Sequence, residues 1–304
     1  MADTTAASSP VSGHRLLWPL LAIALVVSWS SGFVGIRYAS EQAGVMLVLF
    51  WRTLLSGAIL LPFALLVGPR MSLRAVGVQM IFGVMIVFLY LGGFAMAIEQ
   101  RVPTGLVALI SDLVPLAIAA LSHTFLGERM SLRQWAGTAI AIAGVLIVSF
   151  DSLSLGTAPV WAYVVTVASM GVFALATVLQ KRFGTLRMPI HQSLCIQFLT
   201  GSVLFGVVAG EQGGLLPPAD RGFVVGIAWL VLVATFLCYT TYYMSLRLFP
   251  AAKVSAAIYL SPPVTMIWAW ALFSEPLSVS MFSGLLVTLL GVWLTSSSGG
   301  AKQS

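Results

Sequence analysis

Apolar residues run through this chain in long blocks broken by short polar turns. A block of about twenty residues, rising 1.5 Å each, spans the hydrocarbon core of a bilayer as a helix. Ten blocks reach that length, at residues 16–38, 44–67, 75–98, 102–125, 132–150, 159–181, 189–209, 222–246, 251–273 and 278–297. The turns between them carry Gly68-Pro69-Arg70, Gly127-Glu128-Arg129 and Pro217-Pro218, which are poor helix formers. Ser131 and Gln134 have capping-box spacing and predict the start of the fifth helix. The block after Arg15 resembles a secretory signal, but it continues through Trp29 and Phe33 to Tyr38, long enough to span. Residues 1–15 read as a disordered tail and 298–304 as a second tail.

The pattern is written twice. At a shift of 147 positions Pro103 falls on Pro250, Pro115 on Pro262, Glu128 on Glu275 and Ser131 on Ser278, without a gap. Gly137 and Gly144 fall on Gly284 and Gly291. Two copies, 16–150 and 159–297 with a connecting loop at 151–158, predict two equivalent five-helix bundles that hold a substrate where they meet. Five is odd, so the second copy enters the membrane from the opposite side, and the repeat is inverted.

Composition agrees with burial in lipid. Of 304 residues, 59% are hydrophobic and 8% charged, against about 25% charged in soluble domains. The net charge of +6 does not point to nucleic acid, because the basic residues are scattered between apolar blocks. Arg15, Arg70, Arg74, Arg129, Arg133, Lys181, Arg182, Arg187, Arg247, Lys253 and Lys302 fall on one side of the predicted membrane, and Arg37, Arg101 and Arg221 on the other. That asymmetry predicts both termini in the cytoplasm of a bacterial inner-membrane protein, with residues 210–220 outside. Cys195 and Cys238 stand alone, so neither a disulfide framework nor a zinc site is predicted. HExxH, P-loop and nucleophile-elbow motifs are missing, and no catalysis, metal or cofactor is expected.

The candidate chemistry lies inside the spans. Arg52 sits about 12 Å and Asp112 about 15 Å below the outer side by helical rise, with Trp29 and Tyr90 at similar depth. Intramembrane charge turns inward and pairs. An Arg52–Asp112 ion pair that locks the first bundle and a role in meeting substrate or a proton both stay open. The second copy places Leu199 and Tyr259 at the equivalent positions and offers Tyr239, Tyr242, Tyr243 and Ser255 instead. Tyrosines either pack helices together or floor a site for an amphiphilic, aromatic ligand. Pro115 and Pro262-Pro263 remove backbone bonds in mid-span, which marks a binding region or a packing kink. The glycines spaced by seven in the fifth and tenth helices read as scaffold or as the face of a homodimer. His123, near a helix end, has a packing reading and a less favoured proton-carrying one.

Phe50-Trp51-Arg52, Leu89-Tyr90 with Ala95-Met96-Ala97, and Pro115 followed by Leu126-Gly127-Glu128-Arg129, Gly137 and Gly144 resemble the EamA-type drug/metabolite transporters. The pattern recurs as Pro262, Ser274-Glu275-Pro276, Gly284 and Gly291, with Ser274 where glycine is usual. The resemblance implies an all-α membrane protein of ten helices around a central cavity lined mainly by helices 1, 3, 4, 6, 8 and 9. It is greatest to bacterial aromatic amino-acid exporters, and the mid-span residues Trp29, Tyr90, Asp112, Tyr239, Tyr243, Ser255 and Tyr259 are the candidate substrate contacts. A multidrug or nucleotide-sugar carrier is the alternative cargo reading, and a membrane enzyme or receptor the alternative class.

Overall fold

Inside a bilayer a backbone N–H or C=O finds no water, so an apolar span satisfies its own polar groups as a helix. In the computed structural model, which describes residues 12–127, 130–155, 158–182 and 188–296, every long apolar block is helical and the described residues include no strand. The helices are α1 (Ser12–Ala39), α2 (Val45–Leu66), α3 (Leu73–Glu99), α4 (Thr104–Ser111, then Val114–Leu126) and α5 (Leu132–Leu155). They continue as α6 (Val160–Arg182), α7 (Ile190–Gln212), α8 (Arg221–Leu248), α9 (Ala251–Ile258, then Ser261–Phe273) and α10 (Val279–Ser296). Among the described residues nine helices are long and apolar enough to span a membrane; the apolar stretch Val279–Thr295 of α10 is shorter. Helix α5 runs to Leu155, into the connecting loop expected from residue 151, and α1 begins at Ser12, inside the expected tail. The rest of that tail, the second tail, Glu128, Arg129 and Arg187 lie outside the described residues.

Local signals fix the helix starts. The Ser131 amide donates to Gln134 Oε1 (2.8 Å) and the Gln134 amide to Ser131 Oγ (3.3 Å), closing the predicted capping box. Ser278 caps α10 through the Met281 amide, and Asp220 caps α8 through Phe223. Gly127 ends α4 with φ 71°, and Ser274 ends α9 with φ 54°. The serine therefore makes the same left-handed turn as the glycine it replaces.

Small residues set the packing. A Cβ on Gly144 would meet the Thr288 amide and the Gly284 carbonyl, and one on Gly291 would meet the Gly137 carbonyl and Ala141 backbone. The four glycines thus press α5 and α10 against each other within one chain. Gly57 similarly admits Leu199, so α2 lies on α7. Amides join other helices: Gln192 Nε2 donates to the Ala64 and Pro69 carbonyls, and Gln197 Nε2 to Gln79 Oε1 at 2.8 Å. Outward side chains such as Phe150, Val203, Leu286 and Trp293 stay exposed, as a lipid-facing surface requires.

Four irregularities interrupt the helices at mid-span, in two pairs. α4 breaks at Asp112–Leu113 and α9 at Tyr259–Leu260, each just before its proline. Residues 83–91 of α3 and 232–237 of α8 are wound as π-helix, and the two stretches overlap at the 147-residue shift. Such π-segments occur frequently at functional sites. No proline marks them, and sequence reading did not foresee them.

Candidate functional site

The breaks and π-segments bring the buried polar residues to one depth. Arg52 of α2 and Asp112, at the break in α4, are 9% and 7% exposed. The expected ion pair between them is not formed, because no guanidinium nitrogen lies within 4.0 Å of the carboxylate. Arg52 turns to α8 instead. Its Nη2 donates to Thr235 Oγ1 at 3.4 Å, and its charge faces Tyr239, Cys238 and Tyr90. Nε and Nη1 of Arg52, and Oδ2 of Asp112, have no hydrogen-bond partner among the described residues. Tyr90, in the π-segment of α3, lies in the field of both Asp112 and Arg52. The π-segment of α8 thus carries the Thr235 hydroxyl that Arg52 reaches, and the π-segment of α3 carries Tyr90.

Aromatic rings join this layer to the second half of the chain. Trp29 meets Tyr242 at 5.9 Å, Tyr242 meets Tyr243 at 5.3 Å, and Tyr243 stacks on Tyr239 at 6.2 Å. Tyr239 then meets Phe198 of α7 at 6.4 Å. Tyr90 packs separately, on Phe173 of α6 and Phe94. Ser255 is exposed on the first half of α9, and Tyr259, four residues on at the break, is half-buried. The prolines free carbonyls here, and Ser30 Oγ of α1 donates to the nearby Ser261 carbonyl at 3.1 Å. His123 lies edge-on to Trp135, 5.9 Å away.

A cavity of about 380 Å³ lies between α2, α7 and α8. Of the helices expected to line a central cavity, only α8 contributes to it. Its walls include Leu60, Phe198, Phe236, Tyr239 and Tyr243, so two of the anticipated residues line it. Trp29, Tyr90, Asp112, Ser255 and Tyr259 do not. The mid-span end is marked by Thr235, and the end at the helix termini by Arg247 and His191. Thr235, Phe236 and Phe198 escaped sequence reading because they lack charge and sit among many similar apolar residues.

The opposite end of the bundle is tied shut by carboxylates. Glu275, in the turn between α9 and α10, accepts from the Thr104 amide (2.8 Å) and hydroxyl (2.7 Å) and lies 3.6 Å from Arg37 Nε. Arg37 also reaches Glu41 at 2.6 Å and stands over the Phe273 ring, 5.0 Å from its centroid. Glu41 takes Arg101 at 3.2 Å, and Glu99 caps the Val45 amide at 2.7 Å. Glu275 was legible only as a repeat marker; its helix-capping role needs the fold. Among the described residues no cluster of histidine, cysteine or acidic side chains is built to hold a metal ion.

A multi-helix bundle with lipid-facing sides and a polar layer at mid-span defines a polytopic membrane protein. The EamA-like transporter family matches it twice, over residues 16–150 and 160–297, and the chain belongs to that family, within the drug/metabolite transporters. YedA, an inner membrane transporter of Escherichia coli strain K12, is 27% identical over 90% of this chain and 92% of its own. A probable terminal-alkyne amino-acid exporter of Streptantibioticus cattleyicolor is 26% identical over 90% of each. The WAT1-related chloroplastic protein At3g02690 of Arabidopsis thaliana is 23% identical over 93% of this chain and 70% of its own. A solved crystal structure superposes with TM-score 0.65 over 94% of this chain and 98% of its own, at 16% identity, a likeness of fold alone.

Proposed function

We propose that this protein exports small amphiphilic metabolites, amino acids with aromatic ones among them, across the bacterial cytoplasmic membrane by alternating access. The observation that carries the reading is the buried layer in which Arg52 and Asp112 stand unpaired with each other, beside Tyr90 and the tyrosines of α8. A charge kept dry and unneutralised is costly, and in membrane proteins it marks a substrate or ion path. Asp112 suits the ammonium of an amino acid, while Trp29, Tyr90, Tyr239, Tyr243 and Tyr259 supply rings, and Ser255 a hydroxyl, for the rest of the cargo. The relative named as an amino-acid exporter supports the same cargo class.

In this reading the chain forms ten transmembrane helices in two inverted five-helix repeats, 16–150 and 159–297, with both termini cytoplasmic. The carboxylate-tied end then faces outward, and the two repeats rock about the helix breaks at Pro115 and Pro262-Pro263. A homodimer through α5 and α10 uses their outer faces, where Leu146 and Trp293 are exposed, since their glycine faces are occupied. Export down a concentration gradient needs no coupling ion.

The test is flux in liposomes that contain only this protein. Labelled phenylalanine is expected to move saturably, with Asp112→Asn slowing it at least about tenfold, the loss expected for a charge-assisted contact. Flux of a nucleotide sugar or a cationic drug, with none of phenylalanine or threonine, rejects the cargo. Cysteine placed at Gln212 and labelled only from the cytoplasmic side rejects the orientation.

A further inference from the structure

The cavity between α2, α7 and α8 has one side on the lipid. Helix α8 turns Cys238, Thr241 and Ser245 toward buried surroundings, and Thr241 Oγ1 lies 3.4 Å from Ser28 Oγ of α1. Leu237, Thr240, Met244 and Leu248, three or four residues apart, form a separate, exposed stripe on the same helix. A stripe of that kind faces acyl chains, which are as apolar as leucine. Thr240 and Met244 also wall the cavity, and so does Ile190, 47% exposed at the start of α7. The cavity therefore opens sideways between α7 and α8, onto the surface that the bilayer covers.

Its length and polarity follow the bilayer. Thr235 lies at the middle of the 28-residue span Arg221–Leu248, and Arg247 in its last turn. The positions between them rise about 18 Å, against about 15 Å for the hydrocarbon of one leaflet. Along that length the walls include Leu60, Leu194, Phe198, Phe236 and Met244, and about 380 Å³ spread over it makes a narrow slot. At the helix termini the slot ends on Arg247 and His191. His191 Nε2 donates to the Val67 carbonyl at 2.8 Å, which fixes the ring at the rim. Arg247 is exposed and has no hydrogen-bond or ion-pair partner among the described residues, and no acidic residue among them lines the cavity. Its place in the last turn of α8 suits the helix dipole, yet a dipole leaves the donors of the guanidinium unfilled. The complement of an apolar slot one leaflet deep, with an unopposed cation at its rim, is an acyl chain under an anionic head. Phosphate oxygens fit the guanidinium fork.

We propose that this cavity binds an anionic phospholipid, with the phosphate at Arg247 and one acyl chain laid between α7 and α8 as far as Thr235. In the orientation proposed above, the lipid comes from the cytoplasmic leaflet. Tyr239 and Tyr243 wall the slot, so a seated chain bears on the ring series that runs on through Tyr242 to Trp29. The site does not depend on which cargo the protein carries.

The test uses the purified protein in phosphatidylcholine nanodiscs that also hold phosphatidylglycerol with a photoactivatable group in its acyl chain. Crosslinks are mapped by peptide mass spectrometry. Those to Leu194, Phe198 and Phe236 are expected to exceed those to Val203 and Trp293, which are 65% and 60% exposed and report the general lipid shell. Unlabelled phosphatidylglycerol should abolish the cavity crosslinks, and added phosphatidylcholine should not. Arg247→Gln, at an exposed position, should lower them at least about fivefold relative to the shell. Leu194→Trp, which narrows the slot and leaves the guanidinium in place, should lower them comparably. Crosslinks no stronger in the cavity than in the shell overturn the proposal, as does equal competition by the two lipids. So does labelling that survives either substitution. Stronger competition by palmitate overturns the phospholipid head and makes this a fatty-acid site. Displacement by phenylalanine overturns the lipid occupant and makes the cavity a cargo site.

Discussion

The stretch from Thr104 to α5 and the stretch from Ala251 to α10 trace the same backbone with different chemistry. Both begin after a proline, break one residue pair before the next proline, end in a left-handed turn and restart at a capping serine. At the break, however, the first carries Asp112 and the second Tyr259. What the bundle needs twice is repeated: turn formers, caps and small packing residues. Charge at mid-span appears in one copy only. Departures from the repeat, more than the repeat itself, therefore locate candidate chemistry, and Arg52 opposite Leu199 follows the same rule.

The shared scaffold should fail hardest when its close approach is blocked. Gly144→Ala or Gly291→Ala places a methyl on partner backbone, which cannot rotate away as a side-chain tip can. Each is expected to cost about 1–3 kcal/mol or more and to lower the yield of monodisperse protein. Gly171→Ala in α6 meets nothing within 4 Å and should be neutral to slightly stabilising. Thermal unfolding in detergent separates them, and equal midpoints for all three would show that the α5–α10 contact is not close-packed.

A smaller effect is expected at the tied end, where the two stretches touch. Glu275→Gln keeps the shape but loses the charge that strengthens the Thr104 bonds and holds Arg37. A loss of about 1–3 kcal/mol is expected for this partly buried carboxylate. Thr104→Val should couple to it by more than about 0.5 kcal/mol in a double-mutant cycle. Arg101→Ala breaks a pair whose side chains are 53% and 37% exposed, and should cost less than about 1 kcal/mol. Additive effects of Glu275→Gln and Thr104→Val would mean that the cap contributes no coupled stability.

Helix positions were legible because twenty-residue apolar periodicity is a strong signal that lipid enforces. The capping box at Ser131 was legible because its partner is three residues away. Arg52 and Asp112 were recognisable as buried charges at matching depth, but their facing was not. Depth follows from counting residues, whereas what a side chain faces depends on how the neighbouring helices are packed and wound, and Arg52 turns to Thr235 in the π-segment of α8. The cavity was hidden for a related reason. Phe198, Phe236 and Leu60 are distinguished from dozens of other apolar residues only by which helix they meet.

The smallest expected effect concerns the two left-handed turns. A non-glycine residue in that conformation costs about 1–2 kcal/mol, which Ser274 bears at φ 54° and Gly127 avoids at φ 71°. Glycine, however, gives the unfolded chain more freedom, offsetting about 0.4–1 kcal/mol of that relief. Ser274→Gly should therefore stabilise by roughly 0–1 kcal/mol, and Gly127→Ser should destabilise by a similar amount. Opposite shifts of the unfolding midpoint would show that the two turns are equivalent in energy as well as in shape. Destabilisation by Ser274→Gly would instead mean that the serine side chain stabilises its turn by more than the strain it bears. The second copy would then have evolved its own solution at that corner rather than tolerating a loss.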